Sequence, residues 1–330
     1  MTVLVTGATG FVGSAVARKL LDAGETVRVM ARAESNRRNI EDLDVQICIG
    51  DLTQAETLAP AVEGCSAVFH VAADYRLWTR HPEEMMQTNI EGSKALIEAS
   101  LNAGVERVVY TSSVAALGIN KDETPADETT PSALEDMIGV YKRSKFLAEE
   151  AVLDLVAKKN APVVIVNPSA PVGPRDIKPT RTGELIADAA AGRMPAFVDT
   201  GLNVVHVGDV AEGHVLAWQK GKIGERYILG GENLLLASIL REISELVGRK
   251  PPRISIPHGV VMPIAYIAEA LTRLSGGDKP LVAVDEVRMA RKKMYFTSAK
   301  ARRELGYNPR PVSEAFADAV NWFRENGYLG

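Results

Sequence analysis

The first 21 residues constrain the fold more than any other part of the chain. A strand-like run, Met1 to Thr6, turns through Gly7, Gly10 and Gly13 into a stretch with helical spacing of apolar residues, Ser14 to Leu21. Gly7 suits a tight turn, Gly10 lets the backbone approach a pyrophosphate, and Gly13 lets the helix pack on the strand. The helix N-terminus offers free N–H groups to phosphates. The run predicts a dinucleotide-binding turn, and the alternative is a glycine turn without a ligand.

The end of the second predicted strand, Thr26 to Met30, indicates which dinucleotide binds. NAD sites usually carry an acid here for the ribose 2′-hydroxyl. This chain instead has Ala31 and Arg32, followed by Arg37 and Arg38. Guanidinium groups pair with phosphate, so the arginines favour NADP(H), with NAD(H) as the other possibility. The alternative is that Arg32 only ends an exposed strand.

Composition excludes several classes of protein. The 330 residues, 46% hydrophobic and 24% charged, are ordinary for a globular chain with a large and a smaller lobe. The net charge of −4 gives no reason to expect a nucleic-acid partner. Cys48 and Cys65 lack metal-ligand spacing and the five histidines are scattered, so neither a disulfide framework nor a metal site is expected.

No targeting or transmembrane segment is expected either. The fold begins within two residues of Met1, which leaves no room for a signal peptide, and a cytoplasmic location is predicted. The most apolar late stretch, Ile256 to Leu271, contains Pro263 and Glu269 and is too short to span a bilayer. We interpret it as a core helix of the smaller lobe; the alternative is docking of a lipid substrate or a membrane surface.

Strand and helix patterns alternate over the first half of the chain. Apolar strands are predicted at Val3–Val5, Val27–Met30, Val45–Ile49, Ala67–His70, Arg107–Thr111 and Val163–Val166, with helices at Gly13–Ala23, Ala55–Val62, Met85–Ala103 and Tyr141–Lys158. Such alternation predicts an α/β fold with a doubly wound parallel sheet (Rossmann) and ligands at the carboxyl ends of the strands.

Two interleaved domains are expected. Residues 1–166 form the predicted NADP-binding Rossmann domain, and residues 167–330 form mainly a smaller α/β substrate lobe that begins with proline and glycine punctuation. A strand and helix pattern at 203–220 is predicted to return to the large domain.

Tyr141 and Lys145 carry the predicted chemistry. They lie four residues apart on a helical stretch and therefore share one face. Ser113 follows a strand that ends beside the nicotinamide position of such a sheet. A lysine ammonium and a positive nicotinamide would favour the tyrosine phenolate, so Tyr141 would exchange a proton with substrate while Ser113 holds the carbonyl oxygen. The alternative is a packing tyrosine with a solvated lysine.

Several motifs in order resemble the extended short-chain dehydrogenase/reductase family over essentially the whole chain. They are Thr6 to Gly13, Asp51-Leu52, His70 to Ala73, Asn89, Thr111 to Ser113 and Tyr141 to Lys145. The resemblance implies a catalytic triad of Ser113, Tyr141 and Lys145, a supporting Asn89, and a homodimer through the helices at Met85–Ala103 and Tyr141–Lys158. The predicted cofactor-binding residues are Gly7, Thr9, Gly10, Phe11, Val12, Gly13, Arg32, Asp51, Leu52, Val71, Ala72, Ala73, Tyr141, Lys145, Asn167 and Pro168.

Within that family, the second strand, Val27 to Arg32, looks closer to dihydroflavonol 4-reductase-like members than to sugar epimerases. Asn203–Val207, Gly224–Asn233 and the tail from Ala299 to Pro311 resemble the hopanoid-associated sugar epimerase group. Gly208 departs from that pattern, which has an acid before Asp209.

The substrate residues are predicted from the loops that should cover the nicotinamide: Tyr75, Trp78, Asn167 and Arg175, with Asp74, Arg76, Ser169 and Lys178 beside them. The basic residues suit the phosphate or carboxylate of a nucleotide sugar, and the aromatic pair suits a ring or an isoprenoid surface. A solvated loop is the alternative for the basic residues.

Three functions follow from these interpretations. The favoured one is an NADP(H)-dependent oxidoreductase acting on a small-molecule carbonyl or secondary alcohol, because Arg32 suits a cofactor that exchanges at each turnover. The second is a nucleotide-sugar epimerase or dehydratase with bound NAD(P), in hopanoid biosynthesis. The third is a non-catalytic NADP-sensing binding protein.

Overall fold

A computed structural model describes residues 1–275, 277 and 280–329. The strands in chain order are β1 (Thr2–Thr6), β2 (Thr26–Ala31), β3 (Gln46–Ile49), β4 (Ala67–His70), β5 (Arg107–Thr111), β6 (Val163–Pro168), β7 (Ala170–Val172), β8 (Ala196–Phe197), β9 (Gly201–His206), β10 (Arg226–Leu229), β11 (Glu232–Leu235) and β12 (Ile254–Ser255). The α-helices are α1 (Phe11–Asp22), α2 (Leu58–Val62), α3 (Pro82–Met86), α4 (Gly92–Asn102), α5 (Gly139–Lys159), α6 (Arg181–Ala191), α7 (Val207–Lys220), α8 (Leu236–Leu246), α9 (His258–Ser275), α10 (Val284–Ala290), α11 (Ala299–Leu305) and α12 (Val312–Glu325).

Strands β1 to β6 and β10 form one parallel sheet in the order β3-β2-β1-β4-β5-β6-β10. Val5 in β1 pairs with Val29 in β2 on one side and with Phe69 in β4 on the other. The chain therefore reverses its winding direction between β1 and β4, the place where sheets of this kind bind ligands. The predicted doubly wound parallel sheet is confirmed.

Helices cover both faces of this sheet, which explains why its central strands are almost wholly apolar. Val16 and Leu20 of α1 and Val210 of α7 belong to the core on one face. Leu96 of α4 and Val152 of α5 belong to the core on the other face. The carboxyl ends of the strands are left uncovered by these helices and form the edge where the site lies.

The last strand of the sheet, β10, was absent from the sequence-based strand predictions. Its four residues come from the part of the chain assigned mainly to the smaller lobe, and they pair with β6 from Arg226 opposite Ile165 to Leu229 opposite Pro168. A short run of this kind gives no periodic signal of its own, since its burial depends on β6.

The smaller lobe is built around a three-stranded sheet, β11-β9-β7, with α6, α8 and α12 packed on it. One residue, Ser169, separates β6 from β7, so the chain passes directly from the large sheet to the small one. Strand β9 lies in the small sheet, whereas the helix that follows it, α7, packs against α1 beside the large sheet. The two lobes are interleaved, and the boundary at residue 166 stays a prediction.

Helix α9 corrects one expectation from the sequence. The stretch Ile256 to Leu271 does contain a helix, His258–Ser275, but the interpretation as a core helix is wrong, since Ala265 is its one buried residue. The helix touches the remainder of the chain mainly through Val284 and Val287 of α10. Within residues 1–275, 277 and 280–329, no helix combines the length and apolarity that crossing a membrane requires.

Candidate active site

The glycine turn connects β1 to α1 and lies directly against the end of β4. Gly7 has φ +73°, and a Cβ there would lie 2.7 Å from Ala72 N. A Cβ on Gly13 would lie 2.2 Å from Gly7 O, so the helix can begin this close to the strand only with glycine. Gly10 precedes α1 with no side-chain cap, and the first turn of the helix has no acid. The free N–H groups and the helix dipole are thus open to an anion, and the cradle fits a dinucleotide pyrophosphate.

The predicted adenosine-binding end of the cofactor site carries an exposed guanidinium group, that of Arg32. Arg32 Nε lies 3.5 Å from Glu34 Oε1, and both side chains are mostly in solvent. Such an exposed pair is weak, so Arg32 is able to turn toward a ligand phosphate. Arg38, by contrast, donates to Asn326 Oδ1 at 2.5 Å. Asp51 Oδ1 accepts from the N–H and hydroxyl of Thr53, both at 2.8 Å, in the turn after β3.

A buried histidine holds the end of β4 in place. His70 contacts Thr6 Oγ1 through Nδ1 and Ser93 Oγ through Nε2, each at 2.9 Å. Burial lowers the pKa of His70 to about 3, so its ring is neutral. Thr6 Oγ1 also accepts from Ala72 N at 3.1 Å. This network fixes the backbone of Val71, Ala72 and Ala73 beside the glycine turn.

Asn89 has the supporting position that the resemblance implies. Its Oδ1 accepts from Asp74 N at 2.8 Å, and its Nδ2 donates to Asp74 O at 2.8 Å and to Ser144 Oγ at 2.9 Å. One side chain therefore ties the loop after β4 to helix α5.

The structure brings Ser113, Tyr141 and Lys145 together at the carboxyl end of β5. Ser113 hydrogen-bonds the Tyr141 phenol and lowers its pKa, but burial raises that pKa more strongly, and the net shift is upward. A phenol with a raised pKa is protonated at neutral pH; the phenolate expected beside a lysine ammonium and a positive nicotinamide stays a prediction.

Lys145 is buried one helical turn after Tyr141. Its Nζ donates to Thr111 O at 2.8 Å and to the Tyr110 hydroxyl at 3.5 Å, and it lies 5.0 Å from the Tyr110 ring centroid. Burial lowers the pKa of Lys145 to about 8, and the carboxylate of Glu149 partly opposes that shift. The amine is thus held at the end of β5 with a pKa close to neutral pH.

Glu149 was missed by sequence reasoning, although its spacing of four residues from Lys145 was the available signal. It is buried on the same face of α5. Its carboxylate accepts from Asn167 Nδ2 at 2.8 Å and from Arg226 Nη1 at 3.1 Å. Asn167 Nδ2 also donates to Ser113 O at 3.1 Å. Glu149 therefore links the carboxyl end of β6 to the first residue of β10, and through Asn167 to the loop after β5.

Three buried polar atoms at this edge have no partner among the described residues: Ser112 Oγ, Asn167 Oδ1 and Ser169 Oγ. Ser112 directly follows β5, Asn167 is the second-last residue of β6, and Ser169 directly follows β6. Pro168, between the last two, is buried within β6. Buried hydroxyl and amide oxygens normally have hydrogen-bond partners. Their arrangement around the strand ends fits a polar ligand that supplies those bonds.

The predicted substrate residues lie in two places. Tyr75 is half exposed and Trp78 partly buried in the loop after β4. Arg76 in the same loop pairs with Asp74. Arg175 instead donates to Asp42 Oδ2 at 3.0 Å, on the connection between β2 and β3. The structure thus groups Tyr75 and Trp78 but ties Arg175 to the loop near the glycine turn.

Two further buried ionisable groups were not found from the sequence. Asp176 accepts from the N–H and hydroxyl of Thr180, both at 2.8 Å, its Oδ1 has no partner in the described chain, and burial raises its pKa to about 6. Burial raises the pKa of Tyr75, and the charge of Asp176 raises it further, which places the two groups near each other. Lys142 is buried beside Tyr141, and its pKa falls to about 8 through burial and the charge of Lys292.

Gly208 occupies the second position of α7. Its N–H donates to His206 Nδ1 at 2.8 Å, and a Cβ at Gly208 would lie 3.0 Å from that nitrogen. Asp209 beside it accepts from Arg310 N and Nε, each at 2.9 Å. Because Gly208 has no side chain, the His206 imidazole can lie against the first turn of α7.

Comparison with known proteins agrees with this geometry. The profile of the NAD dependent epimerase/dehydratase family matches residues 3–230. A putative dihydroflavonol 4-reductase from Synechocystis is 43% identical over 98% of this chain and 95% of its own length. Sterol demethylase protein B from Methylococcus capsulatus is 38% identical over the full length of both chains. The crystal structure of gox2253 covers 100% of this chain and 99% of its own, with 53% identity and a TM-score of 0.90.

Proposed function

The chain belongs to the NAD dependent epimerase/dehydratase family, and we propose that within it the protein is an NADP(H)-dependent oxidoreductase that interconverts a carbonyl and a secondary alcohol. The observation that carries this proposal is the placement of Tyr141 with Ser113 and Lys145 at the end of β5. A neutral tyrosine is the form that donates a proton to a carbonyl oxygen during reduction.

The glycine turn would hold the pyrophosphate of the cofactor. Asp51 and Leu52 would contact the adenine, and the backbone of Val71 to Ala73 would line the cofactor. Lys145, whose Nζ donates to Thr111 O, would hold the nicotinamide ribose. The bound nicotinamide supplies a hydride, and every remaining task falls to side chains of this protein.

Those tasks are orientation and proton transfer. The Ser113 hydroxyl would donate to the carbonyl oxygen, where negative charge develops, and Tyr141 would deliver the proton that completes the alcohol. Lys145, with a pKa lowered to about 8, would stabilise the phenolate left on Tyr141 until a proton returns from solvent.

The preference for NADP(H) is supported by Arg32. Its side chain is 62% exposed, and its one ion pair, with Glu34, is too weak to keep it from a 2′-phosphate. The strand end that would carry the acid of an NAD site has none.

The substrate class is inferred from Tyr75 and Trp78, two aromatic residues of the loop after β4, which suit an apolar or cyclic carbonyl compound. One relative is named as a putative dihydroflavonol 4-reductase and another as sterol demethylase protein B, and both names agree with a polycyclic or isoprenoid-derived substrate. We also propose that the protein acts in hopanoid biosynthesis. We further propose that it forms a homodimer in the cytoplasm.

An NADPH-oxidation screen of carbonyl compounds tests the proposal. Oxidation that depends on one substrate class and disappears in Tyr141→Phe is the expected result. Interconversion of a nucleotide sugar by protein with bound NAD(P), without net oxidation, would favour the second candidate, which the family's epimerase and dehydratase members support. Cofactor binding without turnover of any substrate would favour an NADP-sensing protein.

A further inference from the structure

Helix α9 presents a continuous apolar stripe to solvent. Val260, Ile264, Ile267, Leu271 and Leu274 recur at intervals of three and four residues, so they share one face. Each is at least half exposed, and Leu274 reaches 84%. Isolated exposed apolar side chains are normal, but a contiguous row of five marks a binding surface.

The stripe faces away from the protein. The opposite face of α9 packs through Ala265 on Val284 and Val287 of α10, with Val261 and Met262 alongside. Two more apolar side chains near the helix in sequence are also exposed: Ile254 before it is 62% exposed and Leu281 after it is 87% exposed.

The chain segment that carries this surface is rich in positive charge. Residues 249–293 contain nine Lys or Arg and four Asp or Glu, a formal charge of +5 in a chain whose net charge is −4. On the helix itself, the Arg273 side chain is 69% exposed, whereas its partner Glu269 is 16% exposed. Arg288 donates to the Tyr266 hydroxyl at 3.1 Å, at the flank of the stripe. The cations thus point outward while the acid turns inward.

The surface also adjoins the candidate active site. Arg80, at the end of the loop that carries Tyr75 and Trp78, donates to Thr272 O at 3.2 Å and to Gly277 O at 2.8 Å. On the other side, Asp285 of α10 would lie 3.1 Å from a Cβ on Gly139, two residues before Tyr141. Helix α9 and the helix α10 packed against it therefore each contact an element next to the candidate active site.

We propose that α9 docks the protein on the surface of an anionic phospholipid bilayer, with the apolar stripe inserted among the acyl chains and the arginines on the headgroups. Apolar area and cations are the two contributions that hold a helix in a membrane interface. At about 27 Å long, with Pro263 inside it, the helix lies on the bilayer rather than crossing it. This inference does not depend on the direction or substrate of the proposed redox reaction.

A second copy of the chain fits this surface less well. A helix about 27 Å long and 10 Å wide covers only about 270 Å² on each partner, well below the roughly 800 Å² per partner of a stable interface. A symmetric contact would also bring two segments of charge +5 together.

Sedimentation of the full chain with lipid vesicles tests the proposal. The wild-type protein should bind vesicles of equal parts phosphatidylglycerol and phosphatidylcholine, bind pure phosphatidylcholine far more weakly, and release as salt rises. The double variant Ile267→Asp, Leu271→Asp should lose about tenfold or more of the binding. Arg273→Gln should weaken binding to the anionic vesicles only.

The matched control is the double variant Ile223→Asp, Leu246→Asp, which adds the same charges at exposed apolar positions outside the stripe. It should bind like the wild type, and all variants should keep their circular dichroism and cofactor affinity. Absence of binding to anionic vesicles, or equal binding by the stripe variant, would overturn the proposal. So would a stripe variant that changes the sedimentation coefficient from dimer to monomer without any vesicle binding, since the stripe would then belong to a second copy.

Discussion

Burial sets the protonation state of the ionisable groups around the reacting centre. It raises the pKa of Tyr141 and lowers the pKa values of Lys145 and His70, to about 8 and about 3. In each case the uncharged form is favoured because the site removes the group from water. At neutral pH Tyr141 is therefore uncharged, whereas Lys145, with a pKa of about 8, is still mainly protonated. This pairing suits the proposed role of Tyr141 as a proton donor.

Replacement of Tyr141 with phenylalanine tests that role. We expect NADP(H) affinity to stay within about twofold, while kcat falls by a factor of about 10² to 10⁴, the usual contribution of a proton-transfer group. Steady-state kinetics and calorimetry on the same preparation separate the two effects. Unchanged turnover would show that the proton comes from another group.

The buried histidines predict a dependence of stability on pH. Burial lowers the pKa of His70 to about 3 and that of His214 to about 4, from 6.5. In this pH range the unfolded chain therefore binds protons at positions where the folded chain does not. The free energy of unfolding decreases as the pH falls from about 6.5 toward 4.

His214→Gln should reduce the number of protons taken up on unfolding in this pH range by about one, because glutamine does not titrate there. Urea denaturation at a series of pH values measures the slope, and His81→Gln, at an exposed position, is the control. An unaltered slope in His214→Gln would mean that this ring is protonated in the folded state.

At the scale of elements, the glycine turn depends on close backbone approach. Gly13→Ala places a methyl group 2.2 Å from Gly7 O, so α1 must move away from β1. We expect cofactor affinity to fall by about tenfold or more, because the phosphate-binding N–H groups move with the helix.

Gly24→Ala is the matched control, since its φ of +83° imposes backbone strain where no atom lies within 4 Å of the added Cβ. It should lower the free energy of unfolding by about 1 kcal/mol and leave cofactor affinity unchanged. Thermal denaturation and calorimetry distinguish the outcomes. Equal affinity in wild type and Gly13→Ala would contradict the assigned role of the turn.

Elements with strong local signals were predictable from sequence. Ala67–His70 and Arg107–Thr111 were predicted with the same bounds that the structure gives β4 and β5. The structure also brings Ser113, Tyr141 and Lys145 together. Asn167 and Arg226, which contact Glu149, are distant from it in the chain, and the exposure of α9 depends on what packs beside it, so no local pattern showed those contacts or that exposure.

At the scale of the whole molecule, the half-buried side chains Leu147 and Ala151 on α5 lie on the face turned away from the sheet. The predicted homodimer would cover them. Leu147→Arg should convert a dimer to a monomer in analytical ultracentrifugation, because a buried unpaired charge is costly. A wild-type monomer, or an unaffected dimer, would place the assembly elsewhere.

The most direct test of the central claim is calorimetric titration of NADP and NAD into protein shown, by denaturation and assay, to carry no nucleotide. We expect NADP to bind at least about tenfold more tightly than NAD, and Arg32→Ala to remove most of that difference. Arg38→Ala should leave that difference unchanged, because the Arg38 side chain donates to Asn326. Protein purified with tightly held NAD, or equal affinity for the two cofactors, would contradict an NADP(H)-dependent reductase and favour the epimerase.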